Sequence, residues 1–348
     1  MPFRMKKMLT VMILSFAVFA SAVSAADRKA PTQDPKQQAL AAMRKASDFM
    51  MNTVSTRGGF LWLYSADLSE RWGEIPARPS QIWVQGATND TGEIFLDAWR
   101  ATGDSTYLKY ACRVADAMVA GQHPEGGWHY FIDFDMPGIQ KYYGEIASKC
   151  WGWEEYYHYY GNCTFDDDTT SSAAQFLLHV YLETLDPSYR APLLKALDFI
   201  LRAQYPLGGW PQRYPLRYEF THDGIPDYTH YYTFNDGVIP NCIFLLQEAW
   251  ETLGDERCRE AARRGMDFYL AAQGPEEQAG WSSQYDMNFQ PAQARSYEPA
   301  SYSTQVTALC IRELETFYKI TGDRRYLRPI PLAIAWLERS VINTDPSK

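Results

Sequence analysis

The sequence has 348 residues, of which 46% are hydrophobic, 15% aromatic and 22% charged, and this composition excludes a disordered or low-complexity protein. Its net charge of −9 argues against a nucleic-acid partner or an anionic membrane surface, because both require clustered lysine and arginine. The 24 tyrosines and 11 tryptophans exceed what a core needs, and aromatic rings suit stacking against flat ligands such as sugars.

Residues 1–26 are predicted to be a secretory signal peptide. Arg4, Lys6 and Lys7 form a basic start, an apolar run follows, and small residues precede the expected cleavage after Ala25 or Ala26. The run is too short for a good membrane span, so we expect a secreted or periplasmic protein. Cleavage leaves 30 basic against 42 acidic residues, so an anionic substrate must be met by a local basic patch or by a cation.

A repeated turn predicts the fold of the remaining chain, 36–348, as a single domain. A glycine before an aromatic residue recurs about every 70 to 80 residues, at Gly58-Gly59-Phe60, Gly126-Gly127-Trp128, Gly208-Gly209-Trp210 and Gly280-Trp281. Apolar periodicity between the turns predicts helix pairs at 91–102 and 105–121, 169–185 and 188–204, 237–253 and 256–273, and 304–321 and 324–340. This pattern favours an all-α fold, an (α/α) toroid or barrel with short extended segments at one rim. A stack of four-helix bundles remains the alternative.

Two of the turns share the pattern Gln-x-x-x-Gly-x-Trp, at 122–128 and 204–210. We interpret it as structural, with the glutamine tying the loop to a helix end and the tryptophan packing over it.

The cysteines Cys112, Cys242, Cys258 and Cys310 lie in apolar or helical runs and are predicted to be buried thiols. Cys150 and Cys163 flank an aromatic stretch and could form a disulfide, and no zinc-binding spacing is present.

Three polar clusters stand at predicted helix starts, at 88–91, 164–170 and 233–237. Helix capping explains one carboxylate at such a position. Asp166, Asp167 and Asp168 exceed that need, because adjacent like charges repel unless a cation gathers them. If Asp236 lies beside this triplet, the two loops would supply oxygen ligands for calcium, with no resemblance to an EF-hand loop.

Two of the predicted loops contain arginines that could bind a carboxylate. Arg295 is the only base in the polar stretch 281–299, where it could pair with Glu298 or Asp286 or reach a substrate carboxylate. Arg213 and Arg217 follow Trp210 in the next loop upstream and are predicted to bind substrate carboxylates in the same way. A polyanionic chain would contact these loops.

Four blocks in order carry a resemblance to a known family. They are Thr164-Phe165-Asp166-Asp167, Gly208-Gly209-Trp210-Pro211-Gln212-Arg213-Tyr214-Pro215, Tyr232-Thr233-Phe234-Asn235-Asp236, and Gln284-Tyr285-Asp286 with Gln290-Pro291-Ala292, Ala294-Arg295 and Glu298-Pro299. Over roughly residues 160 to 340 the chain resembles the family 10 pectate lyases, the pectic acid lyases. The order of all four blocks is more specific than any one of them.

The resemblance implies an (α/α)-toroid enzyme that cleaves polygalacturonate by calcium-assisted β-elimination. It implies Asp166 and Asp236 as calcium ligands. Asp167, where the family usually has asparagine, is a third expected ligand. Arg295 and Asp166 are the expected catalytic residues. Substrate binding is expected at Trp210, Arg213, Arg217, Tyr232 and Asn235, and a monomer is expected. Arginine is an awkward base, since its pKa exceeds 12, so we expect an alkaline optimum and calcium dependence.

Two other functions remain open. An inverting glycoside hydrolase could use a pair such as Asp166 and Asp236 as acid and base. A non-catalytic homologue could bind acidic glycans only; this alternative is motivated by an Arg-rich segment that the resemblance implies after the last helix pair and that the sequence to Lys348 does not contain. A terpene cyclase is disfavoured by the expected export.

Overall fold

The structure is a computed structural model that describes residues 34–135, 141, 162–216, 224 and 226–342. The chain divides into two compact units, Met1–Phe49 and Met50–Lys348. In the first unit the described part is mainly one helix, α1 (Pro35–Phe49). The predicted signal peptide lies outside the described residues, and the single domain over 36–348 stays a prediction. No helix in the described ranges is long and apolar enough to cross a bilayer.

The second unit is built from helix pairs, and it confirms the predicted (α/α) toroid. Its helices are α2 (Asn89–Thr102), α3 (Ser105–Ala120), α4 (Thr169–Thr184), α5 (Pro187–Ala203), α6 (Val238–Leu253), α7 (Glu256–Ala272), α8 (Thr304–Thr321) and α9 (Ile330–Arg339). Helices α2 and α3, α4 and α5, and α6 and α7 pack as hairpins, and α4 contacts both α2 and α6. We call α2, α4 and α6 the inner helices.

The observed helix ends lie within two residues of the predicted ones, except in the last pair. There the predicted helix 324–340 is a short 3-10 turn, Arg324–Leu327, followed by α9. Pro329 and Pro331 explain the interruption, because a proline lacks the N–H that a continuous helix would use and its ring clashes with the preceding turn.

Short antiparallel strand pairs join the hairpins at one rim. The strands are β1 (Leu63–Tyr64), β2 (Arg71–Trp72), β3 (Gln81–Trp83), β4 (Phe131–Asp133), β5 (Cys163–Thr164), β6 (Arg213–Tyr214), β7 (Tyr232–Thr233), β8 (Trp281–Ser282), β9 (Gln284–Tyr285) and β10 (Tyr302–Ser303). The pairs are β1–β2, β3–β4, β5–β6, β7–β9 and β8–β10. In three of them, the strand before an inner helix pairs with the strand after the next tryptophan turn. This rim therefore repeats with the hairpins.

The tryptophan turns have the structural role that the sequence predicts. Trp128, Trp210 and Trp281 are fully buried. Each indole N–H donates to a helix carbonyl oxygen at 2.9 Å, on Met118, Ile200 and Tyr269 respectively. Each turn also has a glutamine whose side-chain amide bridges its own loop and the next hairpin: Gln122 to Gly126 and Pro192, Gln204 to Gly208 and Ala261, and Gln273 to Ala279 and Pro329. These bonds fix the spacing between successive hairpins.

Four cysteines have free thiols, as predicted: Cys112, Cys242, Cys258 and Cys310. The last three are buried, where burial raises the pKa of each thiol, and Cys112 is partly buried. Cys163 is also buried, but Cys150 lies outside the described residues. The disulfide between these two therefore stays a prediction.

A histidine between two carboxylates links the three inner helices. His179 on α4 lies 2.6 Å from Glu93 Oε1 on α2 through Nδ1, and 2.8 Å from Glu248 Oε1 on α6 through Nε2. Desolvation lowers the pKa of the imidazole, but the hydrogen bonds to Glu248 and Glu93 outweigh it and raise the pKa to about 9. At neutral pH the ring is therefore a cation shared by two anions.

We predict that this ion triad makes stability depend on pH in the alkaline range. Because the folded-state pKa of about 9 exceeds the ordinary value of 6.5, the stabilisation is complete below pH 6.5 and is lost as pH rises through about 9. The full effect is on the order of 3 kcal/mol. Denaturant unfolding of the wild type should show this fall in free energy, and His179→Gln should remove most of it. The exposed variant Glu315→Gln is the control, and parallel pH curves for wild type and His179→Gln would contradict the prediction.

Candidate active site

Two matching one-turn segments stand between a rim strand and an inner helix. Asp166–Asp168 joins β5 to α4, Asn235–Gly237 joins β7 to α6, and the two 3-10 turns contact each other. Their central residues have left-handed backbones, with φ of 49° at Asp167 and 50° at Asp236. Aspartate tolerates this conformation better than most residues. The repeat of the hairpins therefore places two aspartates in equivalent positions on neighbouring turns.

The acidic residues of these turns do not cap the inner helices. The helices α3, α5 and α7 have conventional aspartate caps, since Asp104, Asp186 and Asp255 accept a backbone N–H at 2.8 to 3.0 Å. No side-chain capping bond occurs at the starts of α2, α4 or α6. Capping therefore accounts for the acids at the starts of α3, α5 and α7 but not for those of the inner turns.

Asp166 is half-buried and oriented by two neutral donors. Its Oδ2 accepts hydrogen bonds from the Tyr130 hydroxyl at 2.7 Å and from the Gln212 side-chain amide at 2.9 Å. Tyr130 and Gln212 lie just before β4 and β6, so two successive rim loops fix this carboxylate. Neither residue was identified from the sequence, and only the repeated strand positions could have indicated them.

Asp167 and Arg295 lie close enough to Asp236 to shift its pKa. Desolvation by the surrounding loops raises the pKa of Asp236, the negative charge of Asp167 raises it further, and Arg295 opposes both. The pKa of Asp167 is also raised, by desolvation and by the charge of Glu74, against a hydrogen bond from Gln85 and the charge of Arg295. The structure thus brings two solvent-accessible carboxylates and one guanidinium to the N-terminal ends of the inner helices.

Arg295 forms a bidentate ion pair with Glu298. Its Nε lies 2.8 Å from Glu298 Oε2 and its Nη2 lies 3.2 Å from Oε1, while the arginine side chain stays 34% exposed. Asp286, the other partner considered, instead accepts backbone N–H bonds within its own turn. Desolvation lowers the pKa of the guanidinium, but the hydrogen bond and charge of Glu298 outweigh it and raise the pKa above its ordinary value.

Three residues expected to bind substrate are buried and form part of the scaffold. Arg213 is 1% exposed and pairs with Asp227 at 2.8 Å, so its guanidinium is not available to a substrate carboxylate. Trp210 is the buried tryptophan of its turn, and Tyr232 is 3% exposed with its ring stacked on Phe268. These sequence expectations were wrong, because each side chain is buried against a partner within the protein, namely Ile200 for Trp210, Asp227 for Arg213 and Phe268 for Tyr232.

The other two expected substrate-binding residues are Asn235 and Arg217. Asn235 is partly exposed in its turn, and its side-chain amide donates to Asp236 Oδ2 at 2.5 Å. It therefore lies beside the accessible carboxylates and holds one of them. Arg217 lies outside the described residues, so its expected contact with substrate stays a prediction.

Asp167 and Asp236 suit a cation that protein and substrate bind together better than one that the protein encloses alone. Within the described ranges, no three His, Cys, Asp or Glu side chains gather closely enough to hold a metal ion. The predicted set of Asp166, Asp167 and Asp236 is thus incomplete as a protein cage. Calcium takes six to eight oxygen ligands and accepts water and external carboxylates among them. Two accessible carboxylates of raised pKa fit such an ion where substrate and water complete its coordination.

Comparisons with known proteins agree with the resemblance and the fold. The sequence profile described as pectic acid lyase matches residues 148–346. A mutant family 10 polysaccharide lyase from Cellvibrio cellulosa, solved in complex with trigalaturonic acid, is 22% identical over 72% of this chain and 71% of that chain, with a TM-score of 0.48. No curated protein matches the sequence.

Two other solved structures are similar to this chain in fold. Cellobiose 2-epimerase from Bacillus thermoamylovorans is 10% identical, with 89% of this chain and 71% of that chain covered and a TM-score of 0.52. An unsaturated glucuronyl hydrolase specific for heparin is 13% identical, with 87% and 68% covered and a TM-score of 0.50.

We predict that the charges of this site are coupled. Asp167→Asn should lower the pKa of Asp236, because it removes a neighbouring negative charge, whereas Arg295→Gln should raise it. Carbon-13 titration of labelled aspartate carboxyls, without divalent cations, measures both effects. Asp97→Asn, an exposed carboxylate on α2, is the control. A pKa of Asp236 that is the same in all three variants would show that these groups do not converge.

Proposed function

The chain belongs to the pectic acid lyase family, and from that premise we propose that it is a secreted pectate lyase that cleaves polygalacturonate by β-elimination. Family membership supports a polysaccharide lyase, and the site supports an anionic substrate. The observation that carries the proposal is the contact between the turns that hold Asp167 and Asp236, with the charge of Arg295 acting on both carboxylates. Export rests on the pattern of residues 1–26.

The reaction explains why carboxylates would serve an anionic sugar. Loss of the proton next to a uronate carboxylate builds negative charge on a group that is already ionised. A bound calcium ion would supply charge neutralisation at that carboxylate, which is worth several kcal/mol in the transition state. Asp167 and Asp236 would hold it together with the substrate. Asp166 is fixed by Tyr130 and Gln212 and would therefore hold the turn that carries Asp167 in position.

Arg295 is the proposed base. The C5–H bond breaks, the proton passes to the guanidine, and the electron pair forms the C4–C5 double bond as the C4–O bond breaks. The departing oxygen takes up a proton to give a new chain end, so the products are an unsaturated uronate and a shortened chain. Because Glu298 raises the pKa of Arg295, the neutral base is favoured only when pH is high or when nearby positive charge weakens the pair.

We predict calcium-dependent formation of an unsaturated product with an alkaline optimum. Polygalacturonate plus calcium should give rising ultraviolet absorbance, and excess chelator should abolish it. Asp236→Ala and Arg295→Ala should each lower kcat/KM by on the order of a hundredfold or more, since each removes a group that acts at the charged centre. Asp166→Ala should also lower kcat/KM, because the acidic turn loses the support of Tyr130 and Gln212. Asp97→Ala should leave the rate unchanged.

The same assay separates the alternatives. New reducing ends without the ultraviolet chromophore would show a hydrolase and contradict elimination. Binding of polygalacturonate by calorimetry with no turnover at any pH would show a binding protein instead. Full activity in excess chelator near neutral pH would contradict the role of the carboxylates as cation ligands.

A further inference from the structure

Trp62 is the most exposed tryptophan among the residues that the structure describes. It is 37% exposed, whereas Trp83, Trp128, Trp210 and Trp281 are all fully buried. It lies between the buried Leu61 and strand β1, at the base of the β1–β2 hairpin. A tryptophan with part of its ring exposed can offer an apolar face to a ligand while its N–H stays hydrogen-bonded.

Three contacts hold the Trp62 ring in one orientation. Its Nε1–H donates to the Gln85 carbonyl oxygen at 3.0 Å. Its ring meets Trp83 edge-on, with centroids 5.5 Å apart at 60°. Gly86 lies against it, so that a Cβ at this glycine would come within 3.1 Å of Nε1. The exposed indole is therefore a fixed surface rather than a freely rotating side chain.

This surface adjoins the acidic turns. The side chain of Gln85 hydrogen-bonds Asp167, so one residue contacts both the indole and the candidate site. Gly86 has a left-handed backbone between β3 and α2, with φ of 65°, as Asp168 and Gly237 have between strand and inner helix in the next two repeats. The indole held against Gly86 thus lies beside the first repeat's counterpart of the acidic turns. The nearby Glu74 places its charge on the same face.

We propose that Trp62 is a stacking platform for a sugar ring of the acidic polysaccharide, one binding position beyond the unit held at Asp167 and Asp236. This inference rests on the proposed function. Aromatic faces bind the C–H faces of sugar rings without adding charge, which suits a uronate beside an acidic cluster. The platform lies outside the matched residues 148–346, in a region that the family match does not cover.

The platform predicts a dependence on chain length. With calcium present, Trp62→Ala should raise KM for hexagalacturonate about tenfold, a loss typical of one stacked ring, and leave kcat within about twofold. Trigalacturonate, which can occupy the acidic site alone, should be affected much less. Trp62→Phe should recover part of the affinity. Leu63→Ala, a neighbouring side chain that is 63% exposed, is the matched control and should behave as wild type.

A second measurement needs no variant. Mild tryptophan oxidation of the wild type, followed by peptide mass spectrometry, should modify Trp62, and hexagalacturonate should protect it while trigalacturonate protects it less. Equal KM for wild type and Trp62→Ala at both lengths, or no protection, would overturn the platform. A wild type that neither binds nor cleaves polygalacturonate would instead refute the proposed function, so the two failures are distinguishable.

Discussion

The left-handed aspartate at each inner turn is the constraint on which the site depends. Because Asp167 and Asp236 share this backbone on adjoining turns, their carboxylates stand near one another and near Arg295. Desolvation raises the pKa of both acids, and a neighbouring negative charge raises each further, from Glu74 at Asp167 and from Asp167 at Asp236. The proposed function assigns the compensation of these charges to a cation shared with an anionic sugar.

The scaffold keeps this repulsion from separating the turns. Buried tryptophans and bridging glutamines fix each hairpin to the next, and the strand pairs tie each inner turn to the loop of the following repeat. His179 adds an ionic link among the inner helices. This link is expected to weaken at alkaline pH, where the proposed arginine base would work best, so we expect the proposed activity and the stability to change with pH in opposite directions.

The repeated sequence was sufficient to predict the helices but not the function of each loop residue. Helix periods and the glycine turns predicted the hairpins because those signals are local. Arg213, Trp210 and Tyr232 were misassigned because a polar or aromatic loop residue has the same local sequence whether it faces solvent or the core. Their partners, such as Asp227 and Phe268, are distant in sequence and only the fold brings them together. The same limit concealed Tyr130 and Gln212, which orient Asp166.

Calorimetric titration of calcium, with and without trigalacturonate, tests most directly whether the two aspartates form a cation site that the substrate completes. We expect weak calcium binding by the protein alone and much tighter binding with the oligosaccharide present. Both Asp167→Asn and Asp236→Asn should abolish that enhancement. Tight calcium binding that needs no oligosaccharide, or an enhancement that survives in both variants, would contradict the account.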